Sequence, residues 1–141
     1  MKVLAALVTS NRCQLLERCI KHLKLQTKEP YEILVVNNGS TDNTEFFLKK
    51  NNIKFINQNN LGSAGGWHTA IDYAIKNNFE YIWLMDDDGY PEKYVFIHTP
   101  EEYFAKFKIE PTVHFQSDFF NKPFNIQNKA IPNSCLFKVY G

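Results

Sequence analysis

The chain has 141 residues, of which 44% are hydrophobic and 22% charged, a size and balance that fit one globular domain and exclude a disordered, fibrous or collagen-like chain. Lys and Arg number 16 against 15 for Asp and Glu, so there is no basic field for nucleic acid and no acidic tail, and any charge-based function must be local. Cys13, Cys19 and Cys135 form an odd set without a Cys-x-x-Cys pair, which argues against a disulfide framework or a Cys-rich zinc site and suits a reducing, cytoplasmic compartment.

Val3 to Val8 is a continuous apolar run that imitates a signal peptide, but Thr9, Ser10, Asn11 and Arg12 stop it too early, and it predicts a first strand buried on both faces. Asn11 with Gln14 has the spacing of a capping box, and Leu15, Leu16, Cys19, Ile20 and Leu23 follow at helical intervals toward Pro30. Ile33 to Val36 predicts a second strand, Asn37 to Thr41 a polar turn, and Asp42 with Glu45 a second helix through Phe46, Phe47 and Leu48. Lys54 to Asn57 predicts a third strand, Asn59 to Gly66 a Gly and Asn loop, Trp67 to Lys76 a third helix, and Tyr81 to Met85 a fourth strand. This alternation predicts an α/β fold, a mostly parallel sheet with helices on both faces. Beyond Gly89 the alternation fades, although Thr99, Pro100 and Glu102 have the layout of a helix start and Phe115, Phe119, Phe120 and Phe124 are too apolar for a disordered tail. No segment reaches the roughly 20 apolar residues that a membrane-spanning helix needs, which predicts a protein in the cytoplasm or peripheral at the inner face of the membrane.

In a parallel sheet, ligands bind beyond the carboxyl ends of the strands, where four polar segments fall here. Asp86, Asp87 and Asp88 end a buried strand, and like charges so placed are relieved by a divalent cation; Asp86 and Asp88, on one side of an extended backbone, offer oxygen donors suited to Mg2+ or Mn2+. The other reading is a solvated acidic turn before Gly89. Gly62, Gly65 and Gly66 lack the Gly-x-Gly-x-x-Gly spacing of a dinucleotide fold, but they permit close approach of a ligand or another backbone ahead of a helix N-terminus. Asn37, Asn38, Gly39, Ser40 and Asp42 read either as a turn with a helix cap or as neutral amides for a base edge or ribose, and Arg12 either as a phosphate partner or as a solvated residue. His22, His68, His98 and His114 have no metal-ligand spacing, and Trp67 and Trp83 read as core or pocket wall.

Taken in order, Thr9 with Asn11 and Arg12, the Asn37-Asn38-Gly39-Ser40-Thr41-Asp42 turn, Asn60-Leu61-Gly62 with Gly65-Gly66, and Trp83-Leu84-Met85-Asp86-Asp87-Asp88 resemble the N-terminal half of an inverting family 2 glycosyltransferase, nearest the rhamnosyltransferase and galactofuranosyltransferase branch. The resemblance covers about residues 3 to 92 and divides the chain into a nucleotide-sugar-binding part, 1–92, and a divergent segment packed on it, 93–141. It implies the GT-A (nucleotide-diphospho-sugar transferase) fold and metal-dependent transfer from a UDP- or dTDP-sugar to a saccharide or lipid-linked saccharide acceptor, as in surface polysaccharide synthesis. Thr9, Arg12, Asn37 and Asn38 would then face the nucleotide, although many relatives carry Asp at position 37. Gly65, Gly66 and Trp67 would lie near the diphosphate or sugar, Asp86 and Asp87 would hold ribose or metal-bound water, and Asp88 would ligate Mn2+ or Mg2+.

Such enzymes carry their acceptor site and a carboxylate base about a hundred residues beyond the aspartate motif, a spacing this sequence does not contain. The expectation is therefore an incomplete C-terminal half, as in a truncated or frame-shifted product, with impaired turnover and Asp118 as the weak substitute base. The competing expectations are a nucleotide-sugar-binding or vestigial domain without catalysis and a dinucleotide-binding, Rossmann-like domain.

Overall fold

The computed structural model describes residues 2–26, 28–91 and 134–139. Its elements run β1 (Val3–Thr9), α1 (Cys13–Lys24), β2 (Glu32–Asn38), α2 (Thr44–Lys50), β3 (Lys54–Gln58), α3 (Gly62–Lys76), β4 (Tyr81–Asp86) and β5 (Ser134–Lys138). The sheet order is β3-β2-β1-β4-β5, with the first four strands parallel and β5 antiparallel to β4.

The continuous apolar run of β1 is explained by its central place. Val3, Ala5 and Leu7 point into a core with Leu16, Cys19, Ile20 and Leu23 of α1 and Leu48 of α2. Leu4 and Ala6 point the other way, against Ala70, Ile71 and Ala74 of α3. Helices thus cover both faces, as the alternation predicts, and Trp83 belongs to the first core rather than to a pocket wall. Burial of side chains of this kind stabilises by about 1.5–3 kcal/mol each.

Local expectations fail at three places. Asn11 does not cap α1: it sits at φ 54°, Arg12 occupies the cap position without a side-chain cap bond, and the Cys13 N–H is taken by Asp42 Oδ2 at 3.1 Å. The cap arrives from another loop. The second helix starts at Thr44 rather than Asp42, because Asp42 Oδ1 accepts both the Thr44 N–H and the Thr44 hydroxyl, at 3.0 and 2.6 Å. The third helix begins at Gly62, so most of the expected Gly and Asn loop is its first turn. Gly66 lets this turn lie directly against β1, since a Cβ there would overlap Val8 Cγ1. The edge strand β5 was not legible in the sequence. The Thr99 helix start, the Phe115 to Phe124 segment and Asp118 lie outside the described residues.

Candidate functional site

The chain leaves β1 into α1 on one face of the sheet and enters β4 from α3 on the other, so the strand order reverses between β1 and β4. At such a reversal the connections diverge and leave a crevice outside the carboxyl ends of the two strands. Register brings the polar ends level: Val8 lies beside Asp86, Thr9 beside Asn37, and Asn38 beside Gln58. A cavity of about 340 Å³ opens there. Of the residues singled out from sequence, Thr9, Arg12, Asn38, Asn60, Gly62, Trp67, Asp86 and Asp87 line it, and the sequence reading missed Val8, Ser10 and Ser63.

The three aspartates divide by burial. Asp87 is 3% exposed, whereas Asp86 and Asp88 are exposed on either side of it. One Asp87 carboxylate oxygen accepts the Thr9 hydroxyl at 2.6 Å and the other accepts Arg12 Nη1 at 3.2 Å. Arg12 also lies 3.6 Å from an Asp88 oxygen, so its charge spans the pair. A buried carboxylate requires such partners, and both come from residues following the β1 apolar run. Partial burial pushes the Asp86 carboxyl above its usual range, the charges of Asp88 and Asp87 push in the same direction, and Arg12 works against them.

The two asparagines at the end of β2 differ in how their amides are engaged. Asn38 Nδ2 donates to Asn60 Oδ1 and the Gly62 carbonyl, and its Oδ1 accepts Gln58 Nε2 and the Leu61 N–H, at 2.9 to 3.1 Å. Both ends of the amide are therefore spent on the loop that enters α3. Gln58 Oε1 accepts the Thr69 hydroxyl at 2.6 Å, which extends this chain of bonds onto the helix. Asn37 is buried, donates to Asn57 Oδ1 at 2.9 Å, and keeps its Oδ1 unpartnered among the described residues.

Asn37 and Asp88 do not line the cavity, and neither do Asn11, Gly39, Ser40, Gly65 and Gly66, whose loops frame it. The Asn11 N–H donates to Ser40 Oγ at 3.0 Å, and Asn11 Oδ1 accepts the Thr41 and Asp42 N–H groups at 2.7 and 3.2 Å. Gly39, at φ 76°, passes so near Asn60 that a Cβ would stand 2.9 Å from its backbone nitrogen. The loops after β1, β2 and β3 are thus tied into one rim.

A divalent cation fits the donor chemistry of this rim. Among the described residues no group of three or more His, Cys, Asp or Glu side chains converges, but Mg2+ and Mn2+ sites commonly use one or two carboxylates and complete their shells with phosphate oxygens and water. Asp86 and Asp88 would be such carboxylates, hard oxygen donors whose mutual repulsion a cation would relieve.

The family model described as glycosyl transferase family 2 matches residues 5–123. The chain belongs to glycosyl transferase family 2. The match runs on past residue 92, where the motif-based resemblance ends. An uncharacterised glycosyltransferase of Mycoplasma genitalium is 33% identical over 92 residues, covering 58% of this chain and 30% of that protein. The galactofuranosyltransferase GlfT1 of Mycolicibacterium smegmatis is 29% identical over 92 residues, with 63% and 30% covered, in keeping with the branch that the motifs resemble. Among solved structures, S. aureus TarS 1-349 in complex with UDP-GlcNAc is 25% identical, with a TM-score of 0.58 over 66% of this chain and 28% of TarS. A mannosyltransferase from Pyrobaculum calidifontis, in complex with GDP-Man and Mn2+, shares the fold at 22% identity and a TM-score of 0.53, with 63% and 28% covered. This family 2 chain spans about 30% of the length of the curated relatives it matches. Its architecture is that of the GT-A transferases, and among its described residues no helix is long and apolar enough to cross a membrane.

Proposed function

We propose that this chain binds the donor for metal-dependent transfer of a sugar from a nucleotide-diphospho-sugar, a UDP- or dTDP-sugar, to a saccharide or lipid-linked saccharide acceptor in surface polysaccharide synthesis. The observation that carries this reading is the buried Asp87, held by Thr9 and Arg12 at the β1–β4 reversal, with Asp86 and Trp67 on the same cavity wall. It gains support from the family and from TarS, which was solved with a nucleotide sugar.

In this reading Thr9, Arg12 and the buried Asn37 orient the nucleotide. Asp87, already committed to Thr9 and Arg12, holds those two groups in place and turns its polar edge to the ribose. Asp86 and Asp88 hold Mn2+ or Mg2+, which supplies positive charge to the departing diphosphate. Trp67 offers an apolar wall to the sugar, and Asn38, through Asn60 and Gly62, keeps the rim open at a fixed width. Inversion also needs a base in hydrogen-bond reach of the acceptor hydroxyl, a contribution of about 100 to 10,000-fold. Asp118 is the candidate in this sequence and lies outside the described residues.

Calorimetry of UDP, dTDP, GDP and their sugar conjugates, with Mn2+ and with chelator, tests the reading. UDP or dTDP should bind with Mn2+ and lose that metal dependence in Asp88→Ala. Wild-type UDP affinity as high in chelator as in Mn2+ overturns it, and so does thermal protection by NAD or NADP in chelator where UDP with Mn2+ gives none.

A further inference from the structure

The segment that follows the aspartates is gripped by α1, on a side of that helix which no sequence motif marks. Arg18 Nη2 donates to the Asp88 backbone carbonyl at 2.8 Å, and the same guanidinium lies over the Tyr90 ring, 4.8 Å from its centroid. One turn on, His22 stacks on the other partner of this pair, with His22 and Tyr90 ring centroids 4.3 Å apart. Between them Cys19 packs its sulfur against Met85, at 3.7 Å, directly before the acids. Strand β4 ends at Asp86, so ladder hydrogen bonds no longer fix the direction of Asp88, which is exposed and otherwise bonded only through Arg12 among the contacts described.

We infer that Arg18, together with Tyr90, is a positioning residue for the cation site: it fixes the backbone of Asp88 so that this carboxylate reaches the ion beside Asp86. The inference rests on the donor-binding reading above and adds a residue that touches neither donor nor ion. A planar guanidinium suits the task because it donates in plane to the carbonyl while presenting its face to the ring, whereas an ammonium does one or the other.

The sign of the effect separates positioning from plain electrostatics. Removing a positive charge near a cation site should tighten Mn2+ binding if only charge mattered. If Arg18 positions Asp88, its removal loosens Mn2+ by roughly tenfold, as for other groups that orient a metal ligand from behind. The test uses the 141-residue chain with saturating UDP, with free Mn2+ read by electron paramagnetic resonance, and compares wild type, Arg18→Gln, Arg18→Lys, Tyr90→Leu and Asp88→Asn. Expected are weaker Mn2+ binding in Arg18→Gln and Arg18→Lys, a smaller loss in Tyr90→Leu, unchanged UDP affinity in chelator, and no further loss when Arg18→Gln is added to Asp88→Asn. Unchanged or tighter Mn2+ binding in folded Arg18→Gln overturns the inference while leaving the donor site standing, and should that variant not fold, the same result in Arg18→Lys does so. Failure of the wild-type chain to bind Mn2+ with UDP overturns both.

Discussion

The crevice between β1 and β4 and the groove between the first turn of α1 and helix α2 lie side by side and share Arg12. The groove is the larger, about 780 Å³ against about 340 Å³, and is bordered by Phe46, which is 68% exposed, and by the surface side chains of Glu17 and Lys50. The crevice is smaller but holds a buried carboxylate with two partners contributed by residues 78 and 75 positions away in sequence. Volume does not separate the two hollows by chemistry; the buried, paired carboxylate does. Burying Asp87 costs free energy that only its pairing offsets, so the fold keeps an arrangement that an apolar pair would often replace without loss. The groove's own carboxylate, Asp42, accepts the Cys13 and Thr44 N–H groups and the Thr44 hydroxyl, but it is exposed, so no buried charge is held there.

The largest effect that can break this contrast comes from Asp87→Ala. It removes the acceptor for Thr9 and Arg12 and should cost on the order of 3 kcal/mol in urea unfolding, together with UDP binding in Mn2+. Phe46→Ser in the groove should leave both near wild type. The opposite pattern, nucleotide binding abolished by Phe46→Ser and spared by Asp87→Ala, moves the site to the groove.

Gly66→Ala sharpens the comparison from the backbone side. Its methyl group overlaps Val8, so α3 must shift away from β1 at the crevice wall, an overpacking penalty of about 1–3 kcal/mol. A thermal midpoint equal to wild type would show that the helix has room to move, and that the crevice is not held to width by this contact.

Cys19 and Cys13 stand behind the two hollows and should differ in reactivity. Burial, the negative charge of Asp87 and, more weakly, Asp88 push the Cys19 thiol up to about 12, with Arg18 opposing. Because the thiolate is the nucleophile, alkylation of native Cys19 at neutral pH should be on the order of a thousandfold slower than of a free thiol. Cys13, partly exposed at the groove, is also raised, first by its burial and then by Asp42 and Glu17, and should react first of the two. Mass spectrometry after timed iodoacetamide labelling would read the order, and earlier modification of Cys19 would contradict the tight packing of α1 on β4.

The smallest effect concerns Asp42 at the groove. Burial pushes its carboxyl up, but the hydrogen bonds it accepts from the Thr44 hydroxyl and from the Cys13 and Thr44 N–H groups outweigh that and hold it below the usual range. A carboxyl depressed in the folded state stabilises above its unfolded pKa, about 3.9, and that contribution is lost as pH falls through the lower folded value. Asp42→Asn should therefore be slightly less stable than wild type at pH 7, with the gap closing in strongly acidic solution. A gap constant with pH would assign the loss to the geometry of the amide rather than to charge.

The amino-acid sequence by itself determined the alternation of strands and helices, the burial of β1 on both faces and the family, because hydrophobic period and motif spacing are local or additive along the chain. It also marked most of the crevice, since a parallel sheet brings the polar ends of its strands to one edge whatever the detailed packing. Which polar group bonds which was decided only by tertiary structure. Asn37 and Asn38 are neighbours of one residue type, yet among the described residues one keeps an unpartnered buried oxygen and the other is saturated by Gln58, Asn60, Leu61 and Gly62, a difference set by strand register and pleat. Asn11, well spaced for a helix cap, instead bonds the loop after β2, and Asp42 of that loop caps α1 in its place. The packing of α3 on β1 depended on how near Gly66 can come to Val8, and the grip of Arg18 on Asp88 spans 70 positions. Side chains with several equivalent local partners are assigned by whichever backbone the assembled sheet and helices bring within reach, and no count of residues along the chain contains that distance.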